Sequence, residues 1–282
     1  MSPYIKSPLN YIGGKYKMLP QLFALFPSRI NTMVDLFAGG GDVFANIQAR
    51  HIIANDINYH VIDIFNSFKS IEKENLIEKI ESIIQTWDLS PTNEQSYKEY
   101  RKHYNETKDP IELFVLICYS FNYQIRFNGK HEYNNPFGRN RSWFNPSLRE
   151  NLLRFHQILD RIELVSENFK TLNLDYLGKN DFVYADPPYL ITTGTYNDGK
   201  RGFEGWSGKE EYALYACLDK LHKQGVKFAL SNVVEHKGKK NDILCHWMEK
   251  YHIHKMNYGY GNSNYHGKNT DKTTQEVLIT NY

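Results

Sequence analysis

The stretch TMVDLFAGGG at residues 32–41 indicates the fold class of this 282-residue chain. Residues 32–36 are predicted to form a short buried strand, because apolar side chains predominate there and a glycine-rich turn follows at once. The turn leads into a predicted helix over residues 42–49, with Asp42 as its N-cap. A strand that enters a helix through such a turn is typical of the first unit of a doubly wound α/β sheet.

The same turn is a candidate ligand site. Small residues let a ligand approach the backbone, and the first N–H groups of the following helix are free to bind it. A second strand is predicted over residues 52–55 and ends at Asp56, whose carboxylate could accept hydrogen bonds from both ribose hydroxyls of a nucleoside. The turn lacks the third glycine of the dinucleotide fingerprint, and this absence argues against a nicotinamide cofactor. A tight turn without a ligand stays open as an alternative.

Further along the chain, the strand pattern is interrupted and then resumes. Residues 60–165 show helical periodicity and few strand signals: apolar residues at 77, 80, 84 and 87 share one helix face, a second helix covers 111–119, and 122–146 are loop-like. The sheet pattern returns as a strand over 181–185, a helix over 209–224 that stops at Gly225, a strand over 226–230, and a closing hairpin of 252–258 with 276–280.

A long helical insertion therefore separates the two halves of one α/β sheet. A connection of about 100 residues is too long for a simple loop and predicts a second domain. We expect a Rossmann-like α/β domain formed by residues 1–60 and 165–282, with residues 61–164 inserted as a mainly helical domain.

The composition favours a cytoplasmic protein without a structural metal. The formal net charge is +2 and 41% of the residues are hydrophobic, so a nucleic-acid surface would need local clustering of basic residues. Cys118, Cys217 and Cys245 are far apart, which favours neither a zinc site nor a disulfide framework. The first residues lack the apolar region of a signal peptide, and no apolar run approaches the ~20 residues of a membrane-spanning helix.

The tetrapeptide DPPY at residues 186–189 follows the predicted strand 181–185, at a strand end where ligands bind in open α/β sheets. An aromatic amine such as adenine N6 is a poor nucleophile, because its lone pair is delocalised into the ring. The Asp186 carboxylate and the Pro187 carbonyl could each accept one N–H and so direct the lone pair towards an electrophilic methyl group. Tyr189 offers a ring on which a planar base can stack. A rigid turn with an N-cap-like aspartate is the alternative interpretation.

Residues 35–41, followed much later by the tetrapeptide at 186–189, resemble the Dam-type (D12 class, alpha group) DNA adenine methyltransferases. NYIGGK at 10–15 is similar to this family's N-terminal motif, and EVLITNY at 276–282 is similar to its last strand. The resemblance covers nearly the whole chain. It implies a Rossmann-like, S-adenosylmethionine-dependent methyltransferase sheet with an inserted, mainly helical DNA target-recognition domain.

The resemblance also implies an activity. The expected reaction transfers a methyl group from S-adenosylmethionine to N6 of a flipped adenine in double-stranded DNA, with S-adenosylhomocysteine as product and without a metal. The expected partners are DNA and, functionally, a cognate restriction endonuclease, with no membrane. The residues expected to bind the cofactor are Tyr11, Lys15, Phe37, Ala38, Gly39, Gly40, Asp56 and Asp186. Lys15 can pair with the methionine carboxylate, and Tyr11 can face the sulfonium by cation–π attraction.

The segments FNYQIRFN at residues 121–128 and NPFGR at 135–139 are basic and rich in aromatic residues. From residue 126 to 161 there are seven Lys or Arg and three Asp or Glu. Arginine can contact guanine through two hydrogen bonds, asparagine can reach base edges, and an aromatic ring can enter the stack that a flipped base has left. A solvated face over ordinary core aromatics is the alternative.

These segments are similar, without gaps, to the recognition loop of GATC-specific Dam enzymes. The resemblance gives Phe121 as the intercalating aromatic, Asn122 as a contact to the orphan base, Arg126 as the guanine contact, Pro136 as the thymine contact and Arg139 as a phosphate contact. Gln124 is also expected at the DNA, although an apolar residue is usual there. Asn10 replaces a lysine that contacts the outer guanine in some members, and Asn140 replaces an aromatic residue. Methylation in GATC or a related site is expected.

Other functions stay open on the sequence. An N4-cytosine methyltransferase shares the chemistry but typically has serine in place of Asp186. A cytosine-C5 enzyme needs a nucleophilic cysteine, commonly after proline, and the chain has no Pro-Cys pair. An RNA or protein-glutamine methyltransferase would not account for the basic, aromatic segment at residues 121–139. The intact Asp186 and Tyr189 argue against a DNA-binding regulator that has lost the reaction, and an oxidoreductase rests on fold analogy.

Two weaker features lie near the end of the chain. His252 and His254 share one face of a predicted strand, but no third ligand is placed near them, so a metal is not expected. The lysine-rich run at residues 237–240 is predicted to be a solvated loop, with phosphate contact as the alternative.

Overall fold

The computed structural model describes residues 3–192, 205–257 and 274–282. Its strands are β1 (Thr32–Asp35), β2 (His51–Asn55), β3 (Ile162–Val165), β4 (Phe182–Ala185), β5 (Lys227–His236), β6 (Lys239–Lys240), β7 (His252–Met256) and β8 (Thr274–Thr280). Its α-helices are α1 (Leu19–Leu25), α2 (Tyr59–Ser70), α3 (Lys73–Thr86), α4 (Glu94–Thr107), α5 (Pro110–Cys118), α6 (Pro146–Leu159), α7 (Gly208–Lys223) and α8 (Asp242–Met248). Short 3₁₀ helices cover Tyr16–Met18 and Phe121–Tyr123.

The strands form one mixed sheet in the order β3-β2-β1-β4-β5-β8-β7, with β6 paired to β5. The pairs from β3 to β5 are parallel, while β8 runs antiparallel to both β5 and β7. The strand order reverses between β1 and β4, which is the point where doubly wound sheets bind ligands. This topology confirms the predicted Rossmann-like α/β fold.

Both faces of the sheet are covered by apolar residues. Along β4, Phe182 and Tyr184 belong to the core under helices α2–α6, while Val183 and Ala185 belong to the core under α7 and α8. Successive side chains of a strand point to opposite faces, so a strand that is buried on both faces has a continuous apolar sequence. The predicted strands at 32–36, 52–55, 181–185 and 226–230 are confirmed to within a residue at their starts, and the last extends further, to His236.

The predicted helix at residues 42–49 is wrong, because this segment forms a series of turns. Asp42 is not an N-cap: its carboxylate accepts a hydrogen bond from the Tyr16 backbone N–H at 3.1 Å. The Asn46 side chain makes two hydrogen bonds to the Ile5 backbone, at 2.6 and 2.8 Å. Both side chains therefore hold the N-terminal segment against the glycine turn. These long-range hydrogen bonds form where the sequence predicted a regular helix.

The long insertion contains helices, as predicted. Helices α2–α6 lie in residues 59–159. Residues 124–145, between the 3₁₀ helix Phe121–Tyr123 and α6, are irregular apart from isolated bridges. The predicted domain boundary after residue 164 falls within β3, which pairs in parallel with β2. The division into two domains stays a prediction. Strands β7 and β8 pair as the predicted closing hairpin, although its connection lies outside the described residues. Within the described residues, no helix has the length and apolar character needed to cross a membrane.

A substitution in the glycine turn tests its packing. Gly41 has a φ of +89°, and a Cβ there would lie 2.7 Å from Phe44 Cζ and 2.9 Å from Phe155 Cζ. We expect Gly41→Ala to lower the free energy of unfolding by about 1–3 kcal/mol, through strain and overpacking. Urea unfolding would measure this. Gly178→Ala is the matched control, since nothing lies within 4 Å of a Cβ there. An equal effect of the two substitutions would contradict the expectation.

Candidate active site

An open cavity lies at the carboxyl ends of β1 and β4, with about 1270 Å³ of empty space including its mouth. The sheet topology explains its position, because the glycine turn follows β1 and the tetrapeptide follows β4. The predicted cofactor and catalytic residues that line it are Tyr11, Lys15, Phe37, Ala38, Gly39, Gly40, Asp56, Asp186, Pro187 and Tyr189. Every residue predicted for those two roles thus reaches one cavity, while the individual roles stay predictions.

The glycine turn is fastened to the end of β2. The Asp56 carboxylate accepts hydrogen bonds from the backbone N–H groups of Gly39 and Asn58, both at 2.8 Å. The Tyr11 ring packs on the turn, and a Cβ at Gly40 would lie 2.8 Å from Tyr11 Cβ. Glycine is therefore required at residue 40 for the close approach of Tyr11, and Asp56 shapes the cavity in addition to its predicted ribose contact.

The catalytic tetrapeptide is held by a cluster of charged groups. Lys15 Nζ lies 2.8 Å from Asp186 Oδ2 and 3.7 Å from Glu276 Oε1. The Tyr189 hydroxyl donates to Asp186 Oδ1 at 2.7 Å and also lies 3.0 Å from Glu276 Oε1. Both oxygens of the Asp186 carboxylate are thus fixed in direction. Each oxygen keeps a further lone pair with which it can accept a hydrogen bond from a ligand.

Two of the residues with a predicted role, Lys15 and Tyr189, have partners that the sequence did not suggest. Lys15, predicted to pair with a methionine carboxylate, pairs with Asp186 and donates to the Gly13 carbonyl at 3.0 Å. Tyr189, predicted to offer its ring, also directs its hydroxyl to Asp186, and Lys15 Nζ lies 5.3 Å from its ring centroid. The lysine therefore couples the N-terminal segment to the tetrapeptide.

The cavity is lined by several acidic side chains. Asp35, Asp42, Asp56 and Asp186 all line it, together with Lys15. Burial raises the pKa of Asp35 well above its ordinary value, and the nearby Asp186 carboxylate raises it further. Asp35 Oδ1 is buried without a hydrogen-bond partner in the described part of the chain. Such a site suits a ligand that brings a positive charge or hydrogen-bond donors.

One wall of the cavity is aromatic. The rings of Phe37 and Phe169 lie 5.4 Å apart, and the Trp206 ring lies 5.6 Å from Phe37 and 5.8 Å from Phe169. The Trp206 indole N–H donates to Glu211 Oε1 at 3.2 Å, which fixes the ring. The three rings are inclined to one another by 43–81° and give an aromatic, apolar wall beside the glycine turn, against which a planar heterocycle can be held.

Several residues of the site were missed in the sequence. Those that line the cavity are Asp35, Asn58, Glu167, Asn168, Phe169 and Trp206, and the buried Glu276 lies behind it. Glu167, Asn168 and Phe169 follow β3, whose short run of apolar residues was placed in the helical insertion. Recognition of that strand would have revealed them, since residues after parallel strands meet at one sheet edge. The sequence contains no comparable local signal for Trp206 or Glu276.

The predicted DNA-contact residues lie apart from the cavity, in the loop between α5 and α6. Phe121, Asn122, Arg126, Pro136 and Arg139 are exposed, and Gln124 is half-buried. The Arg141 guanidinium lies 5.7 Å from the Phe121 ring centroid, and Arg139 forms an ion pair with Glu94. Two hydrogen bonds close this loop: the Phe121 N–H donates to the Pro136 carbonyl at 2.7 Å, and the Asn135 side chain donates to the Phe121 carbonyl at 3.0 Å.

The N-terminal segment bridges the loop and the cavity. The Asn10 side chain donates to the Asn122 carbonyl at 2.9 Å, and the next residue, Tyr11, lines the cavity. Asn122 and Tyr123 have positive φ angles of 54° and 55°, so the loop takes a sharp turn there. Asn10 thus lies at the predicted DNA-binding loop, and its contact with DNA stays a prediction.

The remaining sequence features lie elsewhere. His252 and His254 are on β7, and His254 Nε2 lies 3.2 Å from Thr280 Oγ1. Among the described residues no group of three or more His, Cys, Asp or Glu could hold a metal ion. The lysine-rich run is exposed over residues 237–240. Residues 237–238 form the turn after β5, but Lys239–Lys240 form strand β6, so the predicted loop is wrong for the second half of the run, and phosphate contact stays a prediction.

Comparison with known proteins gives consistent matches. Residues 11–261 match the model of the D12 class N6 adenine-specific DNA methyltransferases. The chain is 50% identical over 281 residues to the type II methyltransferase M.FokI of Planomicrobium okeanokoites, covering 99% of this chain and 43% of that protein. It is 48% identical over 283 residues to the modification methylase StsI of Streptococcus sanguinis, with the same coverages. The chain therefore spans less than half the length of these two relatives.

A shorter relative matches over most of its own length. The chain is 29% identical over 208 residues to a DNA adenine methylase of Haemophilus influenzae, covering 72% of this chain and 68% of that protein.

The raised pKa of Asp35 predicts a pH-dependent effect on stability. The folded protein binds this proton more tightly than the unfolded chain, so ionised Asp35 destabilises the fold as the pH rises above its ordinary pKa of 3.8. We expect Asp35→Asn to raise the free energy of unfolding at pH 7 by on the order of 1 kcal/mol, with no gain near pH 3.5. Urea unfolding at both pH values would measure this.

Asp181→Asn is the matched control, with the opposite sign. Burial raises the pKa of Asp181, but hydrogen bonds from the Gly178 N–H, the Asn31 side chain and the Thr32 N–H outweigh burial and lower it. Ionised Asp181 therefore stabilises the fold at neutral pH, and its loss should lower stability there. If Asp35→Asn also destabilised the protein at pH 7, the described environment of Asp35 would be wrong.

Proposed function

Because the chain belongs to the D12 class N6 adenine-specific DNA methyltransferase family, we propose that it transfers the methyl group of S-adenosylmethionine to N6 of adenine in double-stranded DNA. The observation that carries the proposal is the meeting of the glycine turn and the tetrapeptide in one cavity. A methyl donor and a target amine must be held side by side, and this cavity has both sets of binding groups.

The residues of the cavity fit S-adenosylmethionine. Asp56 lies at the end of β2, where its carboxylate suits the ribose hydroxyls. The aromatic wall of Phe37, Phe169 and Trp206 suits the adenine ring of the cofactor. The surrounding carboxylates favour the positively charged end of the molecule, which Tyr11 can face. When bound, the cofactor supplies an electrophilic methyl group on its sulfonium.

The tetrapeptide supplies the acceptors for the target amine. Asp186 can accept one N–H of adenine N6 and Pro187 the other, so that the lone pair is directed out of conjugation with the ring. Within the described chain no group donates a hydrogen bond to the Pro187 carbonyl, which leaves it available. Asp186 is then placed to take up the proton that the amine loses after transfer. Tyr189 offers its ring to the base.

The target adenine must leave the DNA stack to reach Asp186, whose side chain is only 17% exposed. Phe121 is suited to occupy the vacated space, because it is 39% exposed on a loop that Asn10 ties to the cavity rim. Asn122 can contact the orphan base, and Arg126 is exposed and free of an ion pair among the described residues. These features support base flipping.

We propose adenine in GATC, or in a closely related site, as the target. The support is the alignment of Phe121, Arg126 and Pro136 with the recognition loop of GATC-specific enzymes. Gln124, Asn10 and Asn140 differ from that loop, and Asn10 lies at the Asn122 backbone where a longer lysine would reach further. A recognised DNA sequence other than GATC would be explained by these three residues.

The names of the relatives support a role in restriction–modification. Two of them are a type II methyltransferase and a modification methylase. We propose that this chain protects the DNA of a bacterial cytoplasm against a cognate restriction endonuclease, its functional partner.

The proposed chemistry predicts that Asp186→Ala lowers methyl transfer at least ~100-fold, because the target amine loses its charged acceptor. Binding of S-adenosylmethionine should stay measurable by calorimetry, since the turn and the aromatic wall are unchanged. Transfer of a radiolabelled methyl group to a duplex would measure the rate. Asp175→Ala, at an exposed ion pair with Lys220, is the control and should keep the wild-type rate. Transfer by Asp186→Ala at a tenth of the wild-type rate would contradict its role.

The proposed recognition predicts that Arg126→Ala lowers activity on the cognate site far more than on sites altered at the contacted guanine. A bidentate contact contributes ~1–3 kcal/mol of discrimination. Arg139→Ala should weaken binding to all sequences alike and reduce its salt dependence, because a phosphate contact carries no base information. Arg50→Ala, at the start of β2 on the opposite sheet edge, should change neither property.

Direct sequencing of N6-methyladenine in DNA from cells that express the variants would measure the preference. Modified adenines outside any GATC-like context would show that the loop alignment is wrong. An unchanged preference in Arg126→Ala would remove its role at guanine.

A further inference from the structure

Glu276 is a buried acidic residue in the middle of the sheet. It lies on β8, paired with Val233 of β5 on one side and Met256 of β7 on the other. Its side chain is only 8% exposed, and the four residues after it are buried as well. Glutamate is almost never buried to this degree without partners, because desolvation of the carboxylate is unfavourable. Packing alone therefore does not account for a glutamate at residue 276.

The polar partners of Glu276 belong to the proposed catalytic cluster. Its Oε1 lies 3.0 Å from the Tyr189 hydroxyl and 3.7 Å from Lys15 Nζ. Glu276 does not line the cavity, whereas Tyr189, Lys15 and Asp186 do. It thus lies behind these residues and cannot contact the substrate or the cofactor in this arrangement. Any effect on the reaction must pass through the residues in front of it.

The hydrogen bonds around Tyr189 show how that effect would pass. The tyrosine hydroxyl has one proton but lies within hydrogen-bond distance of two carboxyl groups, at 2.7 Å from Asp186 Oδ1 and 3.0 Å from Glu276 Oε1. A hydroxyl can donate one hydrogen bond and accept another. Both contacts are satisfied when Tyr189 donates to Asp186 and a protonated Glu276 donates to Tyr189.

The surroundings of Glu276 favour this arrangement. Burial raises its pKa, and the Asp186 carboxylate raises it further, whereas Lys15 and the Tyr189 hydroxyl lower it. The fourth titratable group nearby is Tyr184 of β4, whose own pKa is raised by burial and by these carboxylates. The net direction is upward, towards the protonated form that can donate.

We propose that Glu276 is a positioning residue for the methyl transfer proposed above, on which this inference rests: it holds the Tyr189 hydroxyl and so fixes the Asp186 carboxylate and the Tyr189 ring at the target amine. The tetrapeptide lies in a loop, so its side chains need contacts from behind to keep one orientation. Strand β8 provides that contact from the rigid sheet. A misplacement of about 1 Å at a catalytic group can lower a rate ~100-fold.

Steady-state kinetics of Glu276 variants in the whole chain would test the proposal. Radiolabelled methyl transfer to an adenine-containing duplex would be measured for the wild type, Glu276→Ala and Glu276→Gln. We expect Glu276→Ala to lower kcat at least ~10-fold, with the KM values for cofactor and duplex changed less than ~3-fold. Glu276→Gln should recover most of kcat, because its amide can still hydrogen-bond the Tyr189 hydroxyl. Glu163→Ala, at an exposed glutamate on β3, is the control and should keep the wild-type kcat.

A double-mutant cycle would establish the route through Tyr189. In a Tyr189→Phe background the hydroxyl is absent, so the further change Glu276→Ala should lower kcat less than ~2-fold. Thermal unfolding would be followed for every variant. If Glu276→Ala does not fold, the same cycle is run with Glu276→Leu, which keeps the bulk of the side chain but cannot hydrogen-bond the Tyr189 hydroxyl.

The outcomes separate this inference from the proposed function. Wild-type kcat in Glu276→Ala, or an undiminished effect of that change in the Tyr189→Phe background, would overturn the positioning role while wild-type transfer stands. Failure of Glu276→Gln to recover activity would overturn it as well. A wild-type protein that transfers no methyl group to adenine would overturn the proposed function, and the inference with it.

Discussion

The parallel pairing of β1 with β4 is the constraint on which the rest of the site depends. The two strands are neighbours in the sheet, with Asp35 opposite Tyr184, although the whole helical insertion separates them in sequence. Residues that follow adjacent parallel strands emerge at the same sheet edge. The glycine turn and the tetrapeptide therefore face one cavity, whatever the length of chain between them. The insertion is free to carry a separate binding loop, which the N-terminal segment then joins to the cavity through Asn10 and Tyr11.

Several acidic groups are concentrated at this edge of the sheet. Asp35, Asp186 and Glu276 lie close together with Lys15 among them, and burial raises the pKa of Asp35 and of Glu276. Buried carboxylates stabilise a fold only when they are well paired, and Asp35 Oδ1 has no hydrogen-bond partner in the described chain. Buried carboxylates with perturbed pKa values are typical of functional sites. The same arrangement holds Asp186 in one orientation, with both of its oxygens directed by Lys15 and Tyr189.

Much of this molecule follows from local patterns in the sequence. Continuous apolar runs identified four strands of the sheet, because β1, β2, β4 and β5 are buried on both faces. The residues of the glycine turn and of the tetrapeptide were identified from their chemistry and order. The helix expected after the turn was wrong, since Asp42 and Asn46 bond to residues near the N-terminus, and no local pattern reveals partners so far away in sequence.

The sequence by itself thus determined the α/β class, the family resemblance and the residues that carry a functional motif. Only the tertiary structure decided which side chains support them from a distance. The aromatic wall of Phe37, Phe169 and Trp206 joins three segments that lie far apart in the chain. Glu276 reaches Tyr189 because β8 inserts between β5 and β7, against the direction of β5. Local patterns report the period and polarity of one segment, whereas contacts between segments depend on strand order and register, which are set by the packing of the whole sheet.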